Sequence, residues 1–298
     1  MPMRLASPAR PSFSFHHSSL IIHHFHLTPP STDITIEYMK KFLFDWIVRL
    51  NLAAVYVIVL LIFITPIAFL AVCVGFLLDR SGNLSHIASR YYARVILWIS
   101  FVRVTVEGRE NLAPGQNYVF ASNHNSVFDI LVLLAYLPIQ FRWLAKEELF
   151  KLPIYGWSMA LAGYIPINRS NPREGVRSLE RAAQKLREGA SVIIFPEGTR
   201  SRDGRIQDFK RGGFTLAVKS GLPILPVTIS GTHEVLPTKT LRLRPGPVKI
   251  VFSPPFPTAG IDRGAQNDLM ARVREVIVSQ HDPGYAFHGG KSAVRAAS

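Results

Sequence analysis

The sequence predicts an α/β fold: a mixed, largely parallel sheet flanked by helices, with an N-terminal hydrophobic helical membrane anchor. Two observations carry this. From about Val102 onward, short runs rich in Val and Ile alternate with stretches of helical period, as when helices connect parallel strands. Between residues 50 and 78 there is no charged side chain, a longer run than the roughly 20 residues that span a bilayer. No internal repeat is apparent.

Residues 1–38 differ from the rest and are rich in His, Ser and Pro, with the pairs His16-His17 and His23-His24. A metal-binding tract is one reading; a disordered tail, or sequence foreign to the protein, is the favoured one. Met39-Lys40-Lys41-Phe42 reads as a bacterial start, so residues 1–38 are set aside from fold reasoning.

Residues 39–102 form the expected anchor. A signal peptide would have a shorter apolar core and a small-residue cleavage site. Pro66 is expected to kink the run or divide it into two arms. A second apolar segment, 93–102, contains Trp98 and follows Arg90, Tyr91, Tyr92 and Arg94, a mixture suited to a helix at the lipid interface. Cations flank the run on both sides, so no inside–outside asymmetry emerges. A span and a one-leaflet anchor both remain open, with Pro66 favouring the bent form.

Residues 103–280 form the expected catalytic domain. Strands are predicted at 103–107, 118–122, 141–145, 164–168, 191–195, 224–230 and 248–252. Helices are predicted at 127–136, 154–161, 173–188, 214–219 and 266–279. Residues 281–298 are polar, rich in small residues, and expected to be a disordered tail.

Composition narrows the function classes. The chain has 298 residues, 48% hydrophobic and 18% charged, with a net charge of +14 and a pI near 10.2. That balance suits anionic partners such as a phospholipid surface or a phosphorylated small molecule. Nucleic acid is disfavoured, because the cations flank the motifs below instead of lining one helix with aromatics between them. The single cysteine, Cys73, excludes an internal disulfide and a multi-cysteine zinc site, and its apolar setting reads as a buried small hydrophobe.

Two blocks carry the chemistry. The first is Ser122-Asn-His124-Asn-Ser126-Val-Phe-Asp129. A separation of five does not place His124 and Asp129 on one face of a regular helix. They meet if His124 lies in the turn before a helix and Asp129 in its first turn. Imidazole is the usual general base near neutral pH, and a carboxylate behind it fixes the tautomer. Ser126-x-x-Asp129 also fits a capping box, so the residues alone leave Asp129 open between capping and orienting. The second block is Phe195-Pro-Glu197-Gly198-Thr199-Arg200-Ser201, directly after a buried-strand pattern. Gly198 permits an unusual dihedral, Arg200 offers a planar fork for phosphate, and Glu197 accepts from a hydroxyl or steadies the arginine. The segment that follows, from Ser201 through Gly213, reads as a soluble, flexible loop. Both blocks follow strands, so both are expected at the carboxyl edge of the sheet, where such sheets bind ligands. Arg169 after 164–168, Pro226 early in 224–230, and Lys146 complete the set. No metal site and no cofactor are expected.

From Val102 to Gly231 the chain resembles the glycerophospholipid acyltransferases, the family of 1-acylglycerol-3-phosphate O-acyltransferases, and its likeness to the bacterial ones is close. The His-x4-Asp and Phe-Pro-Glu-Gly-Thr-Arg-Ser blocks match in full. The resemblance implies that His124 is the general base and Asp129 its orienter. It implies that Glu197, Gly198, Thr199 and Arg200 line the glycerol-phosphate site. Arg169 resembles the family's phosphate-binding arginine, Lys146 a cation at the site rim, and Pro226 the block associated with acyl-donor binding or local structure. The implied reaction moves an acyl group from acyl-CoA or acyl carrier protein to the sn-2 hydroxyl of lysophosphatidate. No acyl-enzyme is expected, since there is no Gly-x-Ser-x-Gly elbow. The implied setting is the bacterial inner membrane, on an anionic surface, with the catalytic domain facing the cytoplasm. Acceptors such as glycerol 3-phosphate, another lysophospholipid or a lyso-ornithine lipid fit the blocks nearly as well.

Overall fold

The computed structural model describes residue 56 and residues 59–168, 172–240, 242–262 and 264–286. All of them belong to one compact unit, Asn51–Ser298. The tail at 1–38, the start at Met39 and Arg169 lie outside the described residues.

Seven strands make one sheet: β1 (Arg103–Glu107), β2 (Val119–Ser122), β3 (Phe141–Lys146), β4 (Ile165–Ile167), β5 (Ser191–Ile194), β6 (Ile224–Ser230) and β7 (Pro247–Phe252). Their order is β1-β7-β6-β2-β5-β3-β4. The five strands from β6 to β4 are parallel; β7 pairs antiparallel with β6 and carries β1 parallel to itself. The helices are α1 (Thr65–Leu78), α2 (Asn83–Ile99), α3 (Phe128–Tyr136), α4 (Tyr155–Leu161), α5 (Pro172–Arg187), α6 (Arg211–Ser220), α7 (Thr232–Val235) and α8 (Ala265–Gln280).

Every residue of β2, β5 and β6 is buried, as expected of central strands covered on both faces. Alternation along each strand divides the core in two. Phe120, Ile193, Phe141 and Leu225 pack toward α2 and α3. Val119, Ala121, Val192 and Ile194 pack toward α5, α6 and α8. Pro226 stands inside β6, where a missing N–H would normally break a ladder. A residue's N–H and C=O point to the same side of a strand, and the Pro226 carbonyl accepts Ser253 N–H at 3.0 Å on the β7 side. The β6–β7 register begins only at Val227, so the absent donor falls at the end of that ladder.

No helix among the described residues is long and apolar enough to cross a membrane. Pro66 sits at the start of α1, directly after a π-helical turn at Leu60–Ile64. α1 and α2 form a hairpin, with Gly75 so close to α2 that an added Cβ would lie 2.9 Å from Ser85 N. Ser85 Oγ donates to Val72 C=O at 2.8 Å across the same contact. Arg90 is half-buried and Arg94 exposed. Their guanidinium groups donate to Leu137 and Ala135 carbonyls at 2.7 and 3.3 Å, capping the C-terminal end of α3. The hairpin also exposes apolar side chains: Ile67, Leu70, Leu77, Trp98 and Phe101.

The chain beyond α8 is tied down as far as the structure describes it. The expected tail begins at residue 281, yet Asp282 N–H donates to Ser230 Oγ at 3.0 Å and Gly284 N–H to Glu234 Oε1 at 3.1 Å.

Candidate active site

β2 and β5 are neighbours, Ala121 opposite Ile194, and their carboxyl ends deliver the two blocks to one place. His124 sits in the turn after β2 and Asp129 in the first turn of α3. His124 Nδ1 lies 2.9 Å from Asp129 Oδ2. The same oxygen accepts Asn125 N–H at 2.6 Å and Ser126 N–H at 2.7 Å. The bond from Ser126 is the return bond of a capping box, so capping and imidazole contact coexist in one carboxylate. Asp129 Oδ1 accepts the Thr232 hydroxyl from α7. Asp129 is fully buried, and its charge is held by three N–H or O–H groups besides the histidine.

A carboxylate only accepts, so the bond to Asp129 places the His124 proton on Nδ1 and leaves the Nε2 lone pair free. The imidazole lies nearly flat against Phe195, with centroids 3.9 Å apart and planes 13° apart. Phe195 in turn stacks on Trp143 at 5.6 Å.

Glu197 is buried and reaches beneath this turn. Its Oε1 accepts His124 N–H at 2.8 Å, and its Oε2 accepts Gln207 N–H at 3.0 Å. Burial pushes the Glu197 carboxyl above its usual 4.5, against the lowering effect of those amide bonds. Gly198 has φ +78°, which favours glycine, and lies directly under the Lys210 side chain. Thr199 and Arg200 are exposed on the loop past it.

The segment from Ser201 through Gly213 is structured, not a free loop. Ser201 N–H donates to His124 C=O at 2.8 Å and Lys210 N–H to Pro196 C=O at 2.8 Å, while Arg211 opens α6. Lys146 is exposed at the end of β3 and pairs with Glu148 at 3.2 Å. Pro226 is buried inside the sheet, two positions along β6 from its start. The structure thus gathers His124, Asp129, Glu197 and Gly198 into one connected unit, with Arg200 on its rim. Lys146 and Pro226 lie outside that bonded unit.

The acyltransferase family model matches residues 103–230, the stretch that holds the unit just described. A 1-acyl-sn-glycerol-3-phosphate acyltransferase of Limnanthes douglasii is 35% identical over 201 residues, covering 67% of this chain and 69% of its own. The chain belongs to the acyltransferase family.

Further relatives extend the likeness. A chloroplastic 1-acyl-sn-glycerol-3-phosphate acyltransferase of Arabidopsis thaliana is 39% identical over 173 residues, 57% of this chain and 48% of that protein. The chain spans about half the length of this relative and of those from Brassica napus and Chlamydomonas reinhardtii. The crystal structure of the 1-acyl-sn-glycerophosphate acyltransferase PlsC from Thermotoga maritima superposes with a TM-score of 0.66 at 28% identity, covering 78% of this chain and 94% of that one.

Several residues that build this candidate site carry no obvious sequence signal. Thr232 reaches Asp129 from 103 residues downstream. Asn123 exchanges both of its amide hydrogen bonds with the Ile229 backbone, at 2.9 and 2.8 Å, locking the His124 turn to β6. Thr238 Oγ1 lies 2.7 Å from Ser201 C=O and 3.2 Å from Asn125 C=O, joining the two blocks. Phe195 was readable as a strand residue, but its role as the surface beneath the imidazole depends on the β2–β5 pairing.

Proposed function

We propose that this protein transfers an acyl group from acyl-CoA or acyl carrier protein to the sn-2 hydroxyl of 1-acylglycerol 3-phosphate, forming phosphatidate. The observation that carries the reading is His124, held through Nδ1 by buried Asp129 and through its amide by buried Glu197, with Nε2 left as the proton acceptor.

In this mechanism His124 Nε2 takes the proton of the acceptor hydroxyl as its oxygen attacks the thioester carbonyl. Asp129 stabilises the imidazolium that forms. The tetrahedral intermediate collapses by breaking the carbon–sulfur bond. The imidazolium returns its proton to the departing thiolate, which leaves as the free thiol of the donor. Arg200, with Arg169, binds the acceptor phosphate through a planar fork. Glu197 acts by holding the His124 backbone.

The acceptor is a lipid, and the exposed apolar residues of α1 and α2 give the protein a one-leaflet anchor on an anionic membrane. The proposed setting is the cytoplasmic face of a bacterial inner membrane, where a water-soluble thioester donor meets a membrane-borne acceptor. Purified protein, incubated with lysophosphatidate and each donor, is expected to release free thiol and phosphatidate in equal amounts. Acylation of glycerol 3-phosphate or another lysophospholipid in its place, with lysophosphatidate untouched, would overturn the acceptor assignment.

A further inference from the structure

The segment directly after α8 reaches the site from outside the 103–230 stretch that matches the family. His281, the first residue after α8, has Nε2 3.2 Å from Gly204 C=O and Nδ1 3.4 Å from Ser230 Oγ. A carbonyl only accepts, so Nε2 carries the proton. In the neutral ring Nδ1 then accepts the Ser230 hydroxyl, whose oxygen takes Asp282 N–H at 3.0 Å. The Gly204 carbonyl also accepts Asn125 Nδ2 at 3.2 Å, and the backbone N–H of Asn125 is one of the donors to Asp129. One carbonyl therefore ties the loop after Arg200 to the His124 turn and to the segment after α8. α8 holds the next residues as well: Arg274 donates to Gln207 C=O at 3.3 Å and Ile206 C=O at 3.4 Å, and Gln207 N–H lies on Glu197.

We propose that His281 is a positioning residue that fixes the 200–205 loop through Gly204, and so sets how the acceptor is held. This rests on the proposed phosphate role of Arg200. The bond ends on the loop and leaves the proton acceptor untouched. The effect therefore falls on acceptor affinity, while the acyl donor, the base and the global fold are spared.

The test uses the full-length protein and two variants, His281→Ala and His281→Gln. Gln retains an N–H donor that can reach the Gly204 carbonyl. His281→Ala is expected to raise the acceptor KM by about three- to tenfold, the scale of one lost hydrogen bond, with the donor KM unchanged. Trypsin cleavage after Arg200, Arg202 and Arg205, all exposed, is expected to accelerate by a similar factor. His281→Gln is expected to restore both readouts. Unchanged cleavage and KM in His281→Ala would overturn the proposal. So would equal rises in both KM values, or a lower Tm that His281→Gln does not restore. The cleavage arm needs no substrate: wild-type protein that fails to acylate lysophosphatidate counts against the proposed function, and the clamp is still read.

Discussion

Glu197 holds the backbone of His124, with Oε1 on the histidine amide at 2.8 Å, and its other oxygen on Gln207 N–H. Both oxygens face donors. Glu197→Gln keeps the shape but turns its NH2 toward an N–H, so one of the two amides loses its acceptor. Activity is expected to fall at least tenfold, measured as thiol release. The stability effect has a defined sign with pH. Burial raises the Glu197 carboxyl above 4.5, so its contribution is fully present below 4.5 and is lost as pH rises through the raised value. The stability of wild type relative to Glu197→Gln is therefore expected to decline as pH rises from 4.5, read from urea midpoints. A relative stability that grows over that range would show that burial does not dominate.

Asp129 is the acceptor for His124, two backbone amides and Thr232. The proposed base role predicts that His124→Ala lowers kcat by about 10²–10⁴-fold with Tm retained. Asp129→Asn is expected to be slowed by a factor up to about 10⁴, because the amide no longer enforces the tautomer. Thr232→Val removes one charge-assisted bond and is expected to cost about tenfold in kcat. The Asp129→Asn, Thr232→Val double variant is expected to be scarcely slower than Asp129→Asn, since both act through one carboxylate. Full additivity would separate Thr232 from the base.

The strands and the catalytic turn were legible in the sequence because each follows from local chemistry. β1 and β6 stand where Val/Ile periodicity places them, and the other predicted strands and helices differ by a few residues at their ends. The adjacency of the two blocks was legible because both follow strands of one sheet. The supporting residues were not. Thr232, Asn123 and Thr238 act through contacts fixed by strand order, which periodicity does not encode. Arg90 and Arg94 cap α3, a duty that cations beside apolar residues do not announce in the sequence. The short α7 escaped notice because four residues give no period.

His86 supplies a stability prediction remote from the chemistry. It is fully buried in α2, against Phe141 at a centroid distance of 4.6 Å, with Nδ1 3.1 Å from Tyr164 OH. Burial first, then Arg142 and Arg90, hold its pKa down from 6.5 to about 3. The folded state thus binds fewer protons than the unfolded chain between those values, and stability is lost as pH falls from 6.5 toward 3. The slope is at most about 1.4 kcal/mol per pH unit. His86→Phe is expected to flatten urea midpoints over this range in detergent-solubilised protein. A variant with the wild-type slope would assign the acid sensitivity elsewhere.

Arg200 is exposed at the rim of the unit. Arg200→Lys keeps the charge and removes the bidentate fork. The acceptor KM is expected to rise about tenfold, with a smaller change for the acyl donor. Arg169→Lys is expected to do the same. Equal effects on both substrates would remove phosphate binding from these residues.

The membrane-facing surface can be separated from the site by mutation. On α1, Ile67, Leu70, Val74 and Leu77 recur at intervals of three and four and are all exposed, one apolar stripe turned away from α2. Trp98 and Phe101 extend it at the other end of the hairpin. Burying such a stripe in headgroups is worth about 25 cal/mol per Å² of apolar surface, so two charges in its centre should largely abolish binding. Leu70→Glu with Leu77→Glu is expected to shift the protein from the floating to the soluble fraction on vesicles containing anionic lipid. The activity of this variant on lysophosphatidate dispersed in detergent is expected to stay within about threefold of wild type, because neither residue touches His124 or its partners. For the one-leaflet anchor, single cysteines near residue 45 and in the loop near Gly204, in a Cys73→Ser background, are expected to react only from the cytoplasmic side. Labelling of residue 45 from the opposite face would establish a span and overturn the one-leaflet arrangement, with the catalytic assignment unaffected.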